Sequence, residues 1–123
     1  VNIASILGKI GNPRNTGYCA SKHGMVGYTK SLALDLASRG ITVNVVLPGF
    51  VDTPMLRHQL QIQASQLGVP TENVVRSARR RVPLKRFVRS DEVAAMVGFL
   101  ASAEASAITA QSLVVDGGAS CGA

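Results

Sequence analysis

The run Ile41-Thr42-Val43-Asn44-Val45-Val46-Leu47 is β-branched nearly throughout. A strand that is apolar on both faces must be covered on both, which is the situation of a parallel sheet with helices on either side. Immediately before it, residues 17 to about 39 read as one long helix, which Gly40 ends as a glycine just past a helix does. Earlier still, Val1 to Ser5 reads as a second buried strand that ends in a hydroxyl, and Gly8, Gly11 and Asn12-Pro13 punctuate a loop over 6–16. Strand, long helix and strand make a βαβ unit with the right-handed crossover expected, so the fold class is α/β. Ligand crevices in such sheets lie at the carboxyl ends of the strands, where Ser5 and Pro48-Gly49 both fall.

The long helix carries Ala20, Val26, Leu32, Ala33, Leu34, Leu36 and Ala37 on more than one side, which predicts burial against the sheet and against something else. From Asp52 to Val82 the pattern loosens into short helical stretches separated by Gly68-Val69-Pro70, with Thr71 as N-cap. A connection that long at the ligand edge has the character of a lid, so 52–89 is expected to be a variable, substrate-binding segment. Ser90 is expected to cap the next helix, and Asp91 and Glu92 suit the positive end of its dipole. That helix should run to about Ser102, followed by a last short strand over 112–116 closed by Gly117-Gly118.

Within this frame Tyr18 and Lys22 stand at i and i+4, one above the other on the same face of the helix. An ammonium held beside a phenol favours the phenolate, which makes the hydroxyl a usable proton donor and acceptor. Ser5, thirteen residues before Tyr18 and at the end of a strand, stands opposite them if the loop leads back to the helix.

These residues carry a resemblance. Ser5, then Tyr18-Cys-Ala-Ser-Lys22, then Pro48-Gly49-Phe50-Val51-Asp52-Thr53 resembles the short-chain dehydrogenase/reductase family. So do Pro83-Leu84-Lys85-Arg86-Phe87, Asp91-Glu92-Val93-Ala94 and Val114-Val115-Asp116-Gly117-Gly118, which extends the likeness over essentially the whole chain. A lone Tyr-x-x-x-Lys is weak; five blocks in order are specific. The resemblance implies a Rossmann-type doubly wound parallel sheet of which 1–123 is the C-terminal half. It also implies that Tyr18 exchanges a proton with a substrate carbonyl, that Lys22 supports Tyr18 and holds the nicotinamide ribose, and that Ser5 hydrogen-bonds the same substrate oxygen. Pro48, Gly49 and the backbone of Val51 would pack on the nicotinamide, Thr53 would bond its carboxamide or a phosphate, and Asn15 would contact substrate. The implied cofactor is NADP(H) or NAD(H), leaning to NADP(H). The glycine-rich turn that cradles a pyrophosphate is expected upstream, because no G-x-G-x-x-G occurs in these residues.

Composition narrows the alternatives. A chain of 123 residues supports one modest core. It holds no run of apolar residues long enough for a membrane span and nothing like a signal peptide. Cys19 and Cys121 are far apart and follow no metal spacing, and free thiols suit a reducing, cytoplasmic setting. His23 and His58 have no metal-ligand company, so no metal is expected. The net charge of +6 is concentrated in Arg76, Arg79, Arg80, Arg81, Lys85, Arg86 and Arg89. No aromatics interleave these arginines, which argues against nucleic acid. A solvated face, a subunit contact, or attraction of an acidic substrate carrier remain open for that run and for Arg39.

Sequence around Tyr18–Thr53 and Ile108-Thr109-Ala110-Gln111 looks similar to 3-oxoacyl reductases and aromatic polyketide ketoreductases. The resemblance therefore implies reduction of a 3-oxoacyl group, carrier-linked or small, by a homotetramer pairing through the long helix 17–39. A small 3-hydroxy acid or cyclic alcohol dehydrogenase is the alternative within the family. An inactive fragment or assembly unit is the alternative outside it.

Overall fold

In the computed structural model, which describes residues 1–121, three short strands form one parallel sheet in the order β1-β2-β3. β1 is Asn2–Ile3, β2 is Val45–Pro48 and β3 is Ser112–Val115. Asn2 pairs with Val45, and β3 lies beside β2 from Val45↔Ser112 to Pro48↔Val115. All strands run the same way, so their carboxyl ends share one edge.

The apolar run expected as a strand over 41–47 enters the sheet late. Ile41 is exposed, and Asn44, although buried, is polar. Its amide is satisfied by donating to the Ile108 carbonyl at 2.7 Å and accepting from Gln111 N–H at 3.0 Å. These side-chain bonds hold the approach to the ladder, which begins where the purely apolar residues do. β1 and β3 are likewise shorter than 1–5 and 112–116.

Helix α1 spans Thr16–Leu36 and tightens into a 3-10 turn, Ala37–Arg39, before Gly40 at φ +70°. The remaining helices are α2 (Pro54–Leu67), α3 (Thr71–Arg80) and α4 (Ser90–Leu100). Thr71 and Ser90, expected as N-caps, are the first helical residues instead. Pro70 and Arg89 occupy the cap positions. At α4 the reason is Glu92, whose carboxylate reaches back to accept the Arg89 N–H at 2.8 Å, so the free amide is satisfied from three residues ahead.

The alternation of β2 divides the core. Val45 and Leu47 pack with Ala4, Met25, Val26 and Val114 on the α1 face, while Val46 packs with Leu100, Ala105, Val93 and Met96 on the α4 face. Successive side chains of a strand point to opposite faces, and each face has its helix, which is the doubly wound arrangement. A third cluster, Leu56, Leu60, Ala64, Val74, Ala78 and Phe87, joins α2 to α3. The 52–89 segment is thus a helical hairpin with its own small core. Its base is closed by a bridge between Val51 and Val88, in which Asp52 N–H donates to Val88 O and Val88 N–H to Phe50 O, both at 2.8 Å.

Within α1 only Thr29 and Ala33 are buried, while Tyr28 is 61% and Leu34 77% exposed. Six residues apart on a helix, these two do not share a face. No helix among the described residues is long and apolar enough to cross a membrane.

Candidate active site

Ser5 follows β1 and opens a 3-10 turn, Ile6–Gly8, whose first free amide it caps: Ser5 Oγ accepts from Leu7 N–H at 3.1 Å. The hydroxyl proton is left for another acceptor. The turn runs directly against α1, because Gly8 is buried with its α-carbon beside the Lys22 carbonyl. A Cβ on Gly8 would stand 2.8 Å from that oxygen. In the sequence Gly8 stands only as loop punctuation; its signal is the small residue three positions after the serine.

One turn earlier on α1, Tyr18 is 48% exposed. The Lys22 Nζ lies 5.4 Å from its ring centroid, over the aromatic face where a cation is attracted by the quadrupole. Lys22 Nζ also approaches Met25 Sδ at 3.7 Å. Asn15 occupies the N-cap position of α1 without a capping bond, and its side-chain amide donates instead to the Pro13 carbonyl at 3.2 Å. His23 Nδ1 donates to the Cys19 carbonyl at 2.9 Å. Among the described residues no three His, Cys, Asp or Glu side chains gather as metal ligands.

The second strand end supplies the other wall. Pro48 is buried, Gly49 and Val51 are half-buried, and Gly49 N–H donates to Val115 O at 3.0 Å. Because Val88 bonds to Phe50 and Asp52, the parallel ladder turns the N–H of Val51 to the opposite side. Among the described residues that N–H has no partner within the chain. Thr53 caps α2: its Oγ1 accepts from Leu56 N–H at 3.2 Å and donates to Val51 O at 3.3 Å. One lone pair of the hydroxyl stays free.

A cavity of about 440 Å³ lies elsewhere, bordered by Arg86, Glu92, Val114 and Asp116 and by none of Ser5, Tyr18 or Lys22. It is separate from the turn of α1 on which Gly8 seats the Ser5 loop beside the Lys22 backbone. The basic run is partly neutralised: Arg86 pairs with Glu92 at 2.7 Å and Arg89 with Asp91 at 2.9 Å, and Arg79 lies over the Phe87 ring at 5.4 Å. Asp116 and Glu92, which sequence reading gave no more than turn and dipole roles, both organise backbone amides.

Parallel strands with helices on both faces and polar groups collected at their carboxyl ends define a Rossmann-type α/β fold. Residues 1–120 match the family model described as enoyl-(acyl carrier protein) reductase, and the chain belongs to this short-chain dehydrogenase/reductase family. It is 50% identical over 118 residues to the granaticin polyketide synthase putative ketoacyl reductase 1 of Streptomyces violaceoruber, covering 96% of this chain and 43% of that one. It is 43% identical over 122 residues to the 3-oxoacyl-[acyl-carrier-protein] reductase FabG of Thermotoga maritima, covering 96% and 44%. Among solved structures, a variant of actinorhodin polyketide ketoreductase with NADPH superposes with a TM-score of 0.92 at 47% identity, over 98% of this chain and 46% of that one. The chain therefore spans less than half the length of these relatives.

Proposed function

We propose that this chain carries the proton-transfer and nicotinamide-facing part of an NADP(H)- or NAD(H)-dependent ketoreductase acting on a 3-oxoacyl group. The observation that carries the reading is the Lys22 ammonium seated 5.4 Å from the Tyr18 ring centroid, on the turn of α1 against which Gly8 holds the serine loop. The likeness to ketoacyl and 3-oxoacyl reductases, and to a ketoreductase crystallised with NADPH, supports the substrate class and the lean to NADP(H).

In reduction, Tyr18 gives its hydroxyl proton to the substrate carbonyl oxygen, and Lys22 stabilises the phenolate left behind. Ser5 donates its free hydroxyl proton to the same oxygen, stabilising charge as it develops there. A reduced nicotinamide held beside these residues would supply the hydride. The residues present fit that group: the free Val51 N–H suits a carboxamide oxygen, and the spare lone pair of Thr53 Oγ1 suits a carboxamide N–H better than a phosphate. Pro48 and Gly49 form the floor beside it, Lys22 holds the ribose hydroxyls, and Asn15 borders the substrate.

The finer readings belong to the same proposal. The 52–89 hairpin covers substrate; a cytoplasmic enzyme is expected; and the faces of α1 bearing Tyr28 and Leu34 are read as covered by more than one neighbour, a subunit of a homotetramer among them. The test is NADPH-dependent reduction of a 3-oxoacyl thioester by the intact polypeptide that carries these residues. Turnover should fall by about 10²–10⁴-fold in Tyr18→Phe. Absence of turnover with any ketone, or an unchanged rate in the Tyr18→Phe variant, would sink the reading. Oxidation of a free 3-hydroxy acid with no reduction of the thioester would move it to the dehydrogenase alternative.

A further inference from the structure

Asp116 follows β3 directly and is buried. Its Oδ1 accepts the N–H of Gly118 and its Oδ2 the N–H of Ser120, each at 2.7 Å. Burial works against charge on this carboxyl, yet the hydrogen bonds from Ser120, Gly118 and Ala119 outweigh it and hold the group below the ordinary carboxylate range. The turn 116–120 is therefore tied at two points by one anion, and bonds of that kind are the stronger ones.

Gly49 lies across this turn. A Cβ at Gly49 would stand 2.6 Å from Asp116 Cβ and 2.9 Å from its Cα, a distance that only a residue without a side chain permits. On its other flank the turn meets the base of the 52–89 hairpin: Leu84 N–H donates to Gly117 O at 3.2 Å. A Cβ on Gly117, at φ +63°, would come within 2.8 Å of Val82 Cγ1. Residues 48–52 are thus fixed from two directions, by the Asp116 turn beneath Gly49 and by Val88 beside Val51.

We propose that Asp116 is a positioning residue for the nicotinamide end of the dinucleotide: its carboxylate holds the turn on which Gly49 rests and so sets where the free N–H of Val51 points. This rests on the function proposed above, and Asp116 itself touches no reacting atom. Asn at this position keeps the volume but presents an N–H₂ donor where the Ser120 or Gly118 N–H needs an acceptor. The turn then opens and Gly49 loses its seat.

The test compares two ligands on the intact polypeptide by calorimetry or fluorescence: NADPH, and 2′-phospho-ADP-ribose, which has the same adenosine and pyrophosphate but no nicotinamide. Asp116→Asn should weaken NADPH by about tenfold, what one charge-assisted hydrogen bond is worth, and leave the nicotinamide-free ligand within about twofold. Asp116→Ser, which keeps an acceptor for only one of the two N–H groups, should show a split in the same direction, and it carries the test if Asp116→Asn does not accumulate folded. Equal loss for both ligands, or loss for neither, overturns the proposal. Unaltered protein that binds no nicotinamide dinucleotide overturns the functional reading itself and the proposal with it.

Discussion

Gly8 is packed so closely against Lys22 that a Cβ on the glycine would lie 2.8 Å from the lysine carbonyl oxygen and 3.1 Å from its carbonyl carbon. The obstacle is helix backbone, which cannot turn aside as a side-chain tip can. Gly8→Ala must therefore lift the Ser5–Gly8 turn off α1. The expected cost is about 1–3 kcal/mol of stability, as for other overpacked interiors. Turnover should fall by about 10- to 100-fold, because the Ser5 hydroxyl proposed to bond the substrate oxygen is displaced. Thermal unfolding and steady-state kinetics of the intact polypeptide check both, and an alanine variant as active as the parent would show that the turn has room to spare.

The cation over Tyr18 makes a charge-specific prediction. Tyr18→Phe removes the only proton that residue can give and should lower kcat by about 10²–10⁴-fold, the span of general acid catalysis. Lys22→Met keeps the aliphatic stem but not the charge and should also lower kcat. Lys22→Arg should restore little, since a planar fork does not occupy the place of a compact ammonium. A Lys22→Met enzyme at full rate would remove lysine from the mechanism.

Thr53 has a cap to maintain as well as a proposed cofactor contact. Thr53→Val keeps the shape and loses the acceptor for Leu56 N–H, which should destabilise the intact polypeptide by about 1 kcal/mol. Thr53→Ser should restore both the cap and the affinity for NADPH. If Thr53→Val unfolds at the parental temperature yet binds NADPH weakly, the cap is dispensable and the contact is the residue's main task.

Glu92 links the hairpin base to α4. The Arg86 guanidinium, at 2.7 and 2.8 Å, and after it the Arg89 N–H hold its carboxyl at about 2, down from 4.5. A carboxyl depressed by folding contributes stability that is fully present above its unfolded value and is lost as pH falls through the folded one. The melting temperature should therefore decline between about pH 4.5 and pH 2 in part because of Glu92. Glu92→Gln should flatten that portion of the curve, with little change in shape at neutral pH. An acid limb of the same slope in the variant would assign the loss to other carboxylates.

The fold was legible where composition and period coincide. Val45, Val46 and Leu47 had to be covered on both faces, and α1 and α4 cover them. Gly40 and Gly68 ended helices because a left-handed residue was needed there. Boundaries were less legible, since Asn44 looks polar in sequence and only Ile108 and Gln111, more than sixty residues on, make its burial tolerable. The cap of α4 shifted by one residue because the Glu92 carboxylate supplied what the Arg89 amide lacked, while at α3 Pro70 takes the cap position without a side-chain bond.

The sequence by itself determined the chemical inventory: a phenol and an ammonium one helical turn apart, a hydroxyl at a strand end, and a proline-glycine pair at the next strand end. Periodicity fixes such neighbours, for they are separated by a single turn or a single ladder step. Only the tertiary structure decided what presses on them. That Gly8 lies on Lys22, that Gly49 lies on Asp116, and that Val88 turns the amide of Val51 outward are consequences of close approach between segments far apart in the chain. Close packing is a property of assembled surfaces, and no local pattern encodes it.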